Sequence, residues 1–195
     1  MKYFVVSEDY DETNAYIGNL PNNLERQYEL IKGVFRSADW PDDIAFIFSK
    51  NRPEGMNLND YVRNKYGWLI ISERFKLILE KFNVENIEYL PIQINNHKGR
   101  LASKDYWIAN FIKLTKAVDR ESSTFEASPL DESKVFSFDK LVLTDEVEKA
   151  GPLIFRMDEE PMMILVREDL VSRIKEEGLT GMKFTETKDF KTYNV

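Results

Sequence analysis

An α+β fold, mostly antiparallel sheet with a few short helices packed against it, is what the sequence predicts. Three observations carry that expectation. Apolar runs of strand length outnumber stretches with helical periodicity, and the helices do not alternate regularly with the strands as a doubly wound fold requires. The supply for one core is ample, since 43% of the 195 residues are hydrophobic, including 13 Phe, 9 Tyr and 3 Trp. No internal repeat or Pro/Ser-rich linker interrupts the chain, so a single domain over residues 1–195 is expected. The alternative partition is an N-terminal lobe of about 1–60 and a main lobe of about 61–195.

Along the chain, Tyr3 to Val6 reads as a first strand, and Glu8, Asp9, Asp11 and Glu12 as a solvated loop. Asn23 to Arg36 fits two patterns. Leu24, Tyr28, Ile31 and Phe35 sit near helical spacing, whereas Gly33-Val34 suits a strand and turn. Trp40-Pro41-Asp42-Asp43 is a turn before the strand-length run Ile44 to Phe48. Ser72 then caps a helix, with Glu73 in the first turn where the dipole favours an anion. Phe75, Ile78, Leu79 and Phe82 form its apolar face, Lys76, Glu80 and Lys81 face water, and Asn83 stops it.

Ile87 to Ile94 reads as a strand whose Pro91, lacking an amide donor, must sit at an edge or bulge. A turn at Asn95 to Gly99 leads to a strand over Tyr106 to Leu114, and polar Asp119 to Ser128 reads as a loop. Strands follow at Val135–Phe138, Lys140–Leu143, Leu153–Met157 and Met162–Val166, the last pair joined by Asp158-Glu159-Glu160-Pro161 as an acidic hairpin tip. A short helix over about 168–177 buries Leu170, Val171 and Ile174, and Gly178 ends it in the left-handed region with Leu179 packing back. Thr180 to Phe184 closes the chain as a short strand.

The chemistry these residues offer is narrow. There is no cysteine, which removes disulfides, thiolate nucleophiles and cysteine-held metal sites. The one histidine, His97, lies in the turn beside Asn96 and Lys98, where an exposed side chain is a simpler reading than a general base. Gly178-Leu179-Thr180-Gly181 has the spacing of an RNA-backbone clamp, but Glu176 and Glu177 beside it would repel phosphate, and the helix cap accounts for Gly178. The net charge is −7, with −5 over residues 1–60, +5 over 61–120 and −7 over 121–195. That balance argues against nucleic-acid binding, and it suits either a basic partner or solubility alone. The N-terminus has only four apolar residues before acids begin, too few for a signal peptide, and no run approaches the length of a membrane helix. A cytoplasmic protein that does not enter membranes is expected.

The residues singled out are therefore contacts for a protein partner: Trp40, a core residue or, if partly exposed, an aromatic anchor, with Asp42 and Asp43 beside it, and Asp158, Glu159 and Glu160 as a second acidic patch. The last three, consecutive on a hairpin tip, point in different directions, which disfavours a metal site. No catalytic set, metal or cofactor is expected. Two other classes stand beside the binding protein: a non-catalytic scaffold or regulatory module, and a carboxylate- or metal-dependent enzyme.

Several short stretches also carry a resemblance. They are Trp68-Leu69-Ile70-Ile71-Ser72-Glu73-Arg74-Phe75 with Ile78-Leu79, then Tyr89-Leu90-Pro91-Ile92, and Asp119 with Ser122. Gly151-Pro152-Leu153-Ile154-Phe155-Arg156 and Gly178-Leu179-Thr180-Gly181-Met182-Lys183-Phe184 follow, and Trp40 to Ile44 and Asp60-Tyr61 fit more loosely. In order and spacing the chain resembles immunity family eleven of bacterial polymorphic toxin systems, formerly a domain of unknown function, with residues 7–35 outside the matched stretches. The resemblance implies an antidote that binds and blocks a cognate toxin domain without chemistry of its own. The matching residues have structural explanations, so the resemblance does not make them toxin contacts.

Overall fold

The structure is a computed structural model and describes residues 1–192. In chain order its strands are β1 (Tyr3–Glu8), β2 (Tyr16–Ile17), β3 (Ala45–Ile47), β4 (Tyr61–Asn64), β5 (Leu69–Ser72), β6 (Ile87–Asn95) and β7 (Leu101–Phe111). They continue as β8 (Leu114–Thr115), β9 (Thr124–Ser128), β10 (Asp131–Lys140), β11 (Ile154–Met157), β12 (Ile164–Arg167) and β13 (Met182–Glu186). The α-helices are α1 (Glu73–Lys81), α2 (Asp145–Ala150) and α3 (Glu168–Glu176). The class is α+β. The chain forms two compact units: Glu8–Lys113 with Ile174–Met182, and Met1–Ser7 with Leu114–Arg173 and the chain from Lys183. The units interleave in sequence, so neither is a lobe of about 1–60 or 61–195.

In the first unit a six-stranded sheet runs β2-β4-β5-β7-β6-β3. β5 lies centrally, antiparallel to β4 and β7, which explains why Leu69, Ile70 and Ile71 are all buried. Ile70 joins the core of Ile17, Phe46, Trp68, Leu90, Ile94 and Ile108. Alternation turns Leu69 and Ile71 to the other face, where α1 packs on β5 and β7. The expected helix forms: Ser72 Oγ accepts the Phe75 N–H at 3.3 Å, Phe75, Ile78 and Leu79 are buried, and Asn83 takes a left-handed φ of 52°, while Phe82, expected on the same apolar face, is the C-cap and only half-buried. Lys76, expected to face water, is instead half-buried, its ammonium 4.8 Å from the Trp107 ring. Segment 23–36 becomes a 3₁₀ turn, Gln27–Ile31, with Leu24 and Leu30 in the core.

The second unit carries a five-stranded sheet, β13-β1-β12-β11-β8, and a two-stranded hairpin, β9–β10. Tyr3 and Val5 of β1 share a core with Phe155, Met157, Leu165 and, from β10, Val135 and Phe138. The C-terminal end of α3, which belongs to the first unit, is as the sequence predicts, with Gly178 at a φ of 63° and the Leu179 N–H bonded to the Ile174 carbonyl at 3.1 Å.

Four expectations need correction. The sheets are mixed rather than mostly antiparallel, because β3 pairs with β6, β2 with β4 and β8 with β11 in parallel. The supposed loop Asp119 to Ser128 contains β9, whose polar outer residues hid the single inward Phe125. Lys140–Leu143 is not a strand of its own: β10 ends at Lys140, and Leu143 makes one bridge to Val118. Glu8 is no loop acid but the end of β1, and its carboxylate accepts from buried Arg63 Nε at 2.7 Å. Pro91 sits within interior β6, at a point β3 does not reach, so locally it does lie on an edge.

Candidate partner-binding surface

The first patch sits on the turn that follows a 3₁₀ segment, Ser37–Asp39. Trp40 there is half-buried against the first core, and its Nε1–H donates to the Pro91 carbonyl at 2.9 Å. That bond is available because Pro91 stands where the neighbouring strand has ended. Trp40 is thus fixed in orientation and its polar end is satisfied. Asp42 and Asp43 are both exposed. Asp43 Oδ1 accepts from Asn23 Nδ2 at 2.9 Å and lines a cleft of about 460 Å³ with Pro21, Ile47 and Lys50.

The second patch joins β11 to β12, and it is not the solvated tip the sequence suggests. Glu159 is only 8% exposed. Its carboxylate turns inward and accepts the Ala117 N–H at 3.1 Å and the Val118 N–H at 3.3 Å. β8 stops at Thr115, so the amides that follow have no strand partner, and Glu159 supplies one. Asp158 is half-buried and accepts Lys134 Nζ at 2.7 Å. Glu160 is half-buried too, with burial pushing its carboxyl above the ordinary value against the opposing Met162 N–H and Lys134 charge. Trp40, Asp42 and Asp43 belong to one compact unit and residues 158–160 to the other.

Converging polar groups elsewhere hold backbone. Buried Glu88 takes the Arg36 N–H at 2.7 Å and Asn110 Nδ2 at 2.6 Å on one oxygen, and the Ser37 N–H at 2.8 Å on the other. Buried Asp60 accepts Ser72 Oγ at 2.6 Å and the Thr180 N–H at 3.0 Å. That contact joins three of the stretches named above, and it explains Gly181. At its φ of 93° an added Cβ would strike the Tyr61 carbonyl and lie 2.7 Å from Asn59 Cβ. His97 is half-buried rather than exposed, its Nε2 3.2 Å from the Pro53 carbonyl and its ring edge-on to Phe48. Among the described residues no group of three or more His, Asp or Glu is placed to hold a metal ion, and no helix is long and apolar enough to cross a membrane.

Sequence reasoning missed two exposed apolar side chains on the β9–β10 hairpin. Leu130, in the connecting turn, is 96% exposed, and Phe136 of β10 is 60% exposed. A signal for the second was present: Val135-Phe136 breaks strict alternation, so both cannot point inward.

Compared with known proteins, residues 2–189 match a family model described as an immunity protein family, Imm11. No curated protein matches the chain.

Proposed function

Because the chain belongs to the immunity protein family Imm11, we propose that it binds and neutralises a cognate toxin domain of a bacterial polymorphic toxin system. It does so in the cytoplasm and without chemistry of its own. The observation that carries this reading is the family match, which spans 2–189 of the 195 residues. The geometry is in keeping with it, since the buried carboxylates Glu88 and Glu159 accept from backbone N–H groups. Candidate contacts are Trp40, Asp42 and Asp43 in one unit and, as a separate patch in the other, Asp158 and Glu160 where they reach solvent. Glu159 supports that patch from beneath.

An antidote must outcompete the toxin's action at low concentration. Binding to the toxin encoded beside its gene is therefore expected at a nanomolar Kd or below, about −12 kcal/mol. Co-producing the two proteins tests the reading directly. Restored growth, with a complex recovered from the cells, is the expected result. Continued killing in the presence of folded antidote at equal or higher level would overturn it.

A further inference from the structure

Of the large apolar side chains left in water, Leu130 is nearly bare at 96% exposure, and Phe136 follows at 60%. Single exposed leucines are ordinary, but here backbone devices produce both exposures. Ser128 pairs with Asp131 across the turn that carries Leu130, and the Asp131 carboxylate accepts the Ser133 N–H at 2.9 Å and Ser133 Oγ at 2.6 Å. Phe136 has no opposite residue: Val135 faces Ala127 and Ser137 faces Glu126, so a bulge extrudes it. Bulges of this kind re-aim a side chain.

The base of the hairpin is held fast. Val135 and Phe138 lie in the core, the Val135 N–H bonds the Glu159 carbonyl at 2.8 Å, and the Arg120 guanidinium donates to the Glu132 carbonyl at 2.9 Å. Glu126, Asp131, Glu132 and Asp139 are exposed along the same hairpin, against the exposed cations Lys140 at its end and Arg120 at its side. Lys134, the cation nearest the middle of the hairpin, is turned inward onto Asp158. Two exposed apolar side chains on a hairpin where acids outnumber cations complement a basic surface with an apolar pocket.

We propose that the β9–β10 hairpin is the finger that grips the toxin, with Leu130 and Phe136 seated in an apolar pocket of a basic toxin surface. This rests on the immunity reading above. Because the finger is fixed before binding, little ordering opposes its insertion.

The probe is the purified, catalytically inactivated toxin domain encoded beside this gene, titrated against the full chain and its variants. Leu130→Asp should weaken binding by about 30-fold or more, as loss of an interface anchor does, and Phe136→Asp by about 10-fold. Glu132→Lys should slow association, with a smaller penalty at high salt. Leu77→Asp, at a side chain 44% exposed on α1, serves as the control and should leave affinity unchanged. Leu130→Ala, which removes a side chain that packs on nothing, checks that any loss is not misfolding. If the wild-type chain binds and both hairpin variants bind equally well, the finger is overturned while the immunity reading stands. If the wild-type chain fails to bind, both are overturned. A wild-type dimer that Leu130→Asp converts to monomer would assign the face to a second copy of the chain and overturn the proposal.

Discussion

Two turns in this protein place adjacent acids beside a proline. In the first unit Pro41-Asp42-Asp43 leads into β3, and in the second Asp158-Glu159-Glu160-Pro161 joins β11 to β12. The first leaves both carboxylates exposed, with Asn23 as a partner for Asp43. The second turns its central carboxylate onto the amides of Ala117 and Val118. What separates them is the need of the neighbouring backbone. Near β3 the chain offers Trp40 to an unpaired carbonyl, so the acids have nothing to satisfy. Beyond β8 the chain leaves two buried N–H groups, and an acceptor must reach them.

Glu159→Ala is the sharpest way to break this comparison. It strands two buried donors that had a charged acceptor, at a cost of about 3 kcal/mol. For a chain of this size that lowers the melting temperature by roughly 6–12 °C. Glu159→Gln keeps one acceptor oxygen and should recover part of the loss. Asp42→Ala, by contrast, should stay within about 0.5 kcal/mol of wild type, as exposed substitutions do. Equal melting temperatures for the Glu159 and Asp42 alanine variants would mean the two turns do the same work.

A smaller effect is expected at Trp40. Trp40→Phe keeps most of the ring but loses the Nε1–H bond to the Pro91 carbonyl, a change worth about 1 kcal/mol in chemical denaturation. An unchanged midpoint would show that water replaces the indole there. The prediction separates holding Pro91 from meeting a partner. If Trp40→Phe weakens toxin binding far more than it weakens the fold, the exposed face of the ring is a contact in its own right.

What the sequence made legible follows from local physics. Ser72, the spacing of Phe75, Ile78 and Leu79, and Gly178 each act within a few residues, so α1, α3 and their ends could be read directly. The parallel pairing of β3 with β6 joins segments about 50 residues apart and leaves no mark on either strand. α2 escaped notice because its six residues bury only Val147, too short a pattern to show a period. The candidate site divides the same way. Asp42 and Asp43 are exposed as a polar turn should be, whereas the fate of Glu159 was decided by where β8, more than 40 residues earlier, happens to end. Phe136 faces outward because of a bulge, and a bulge depends on the partner strand.

Glu160 supplies the smallest and most specific test. Burial raises its carboxyl above the ordinary 4.5, so the folded chain holds this proton more tightly than the unfolded chain does. Between 4.5 and the raised folded value the native state binds more protons. Stability contributed at this position therefore falls as pH rises through that window, and the loss persists above it. Glu160→Gln has no charge to bury. It should be more stable than wild type at pH 7, with the advantage shrinking as the pH drops and vanishing once both states of the wild type are protonated. Denaturation midpoints of the two proteins across pH 3–8 read the effect against each other, which cancels every other titrating group. A constant difference over the whole range would mean that Glu160 is hydrated like Asp42, and that only Glu159 of the three acids has left the water.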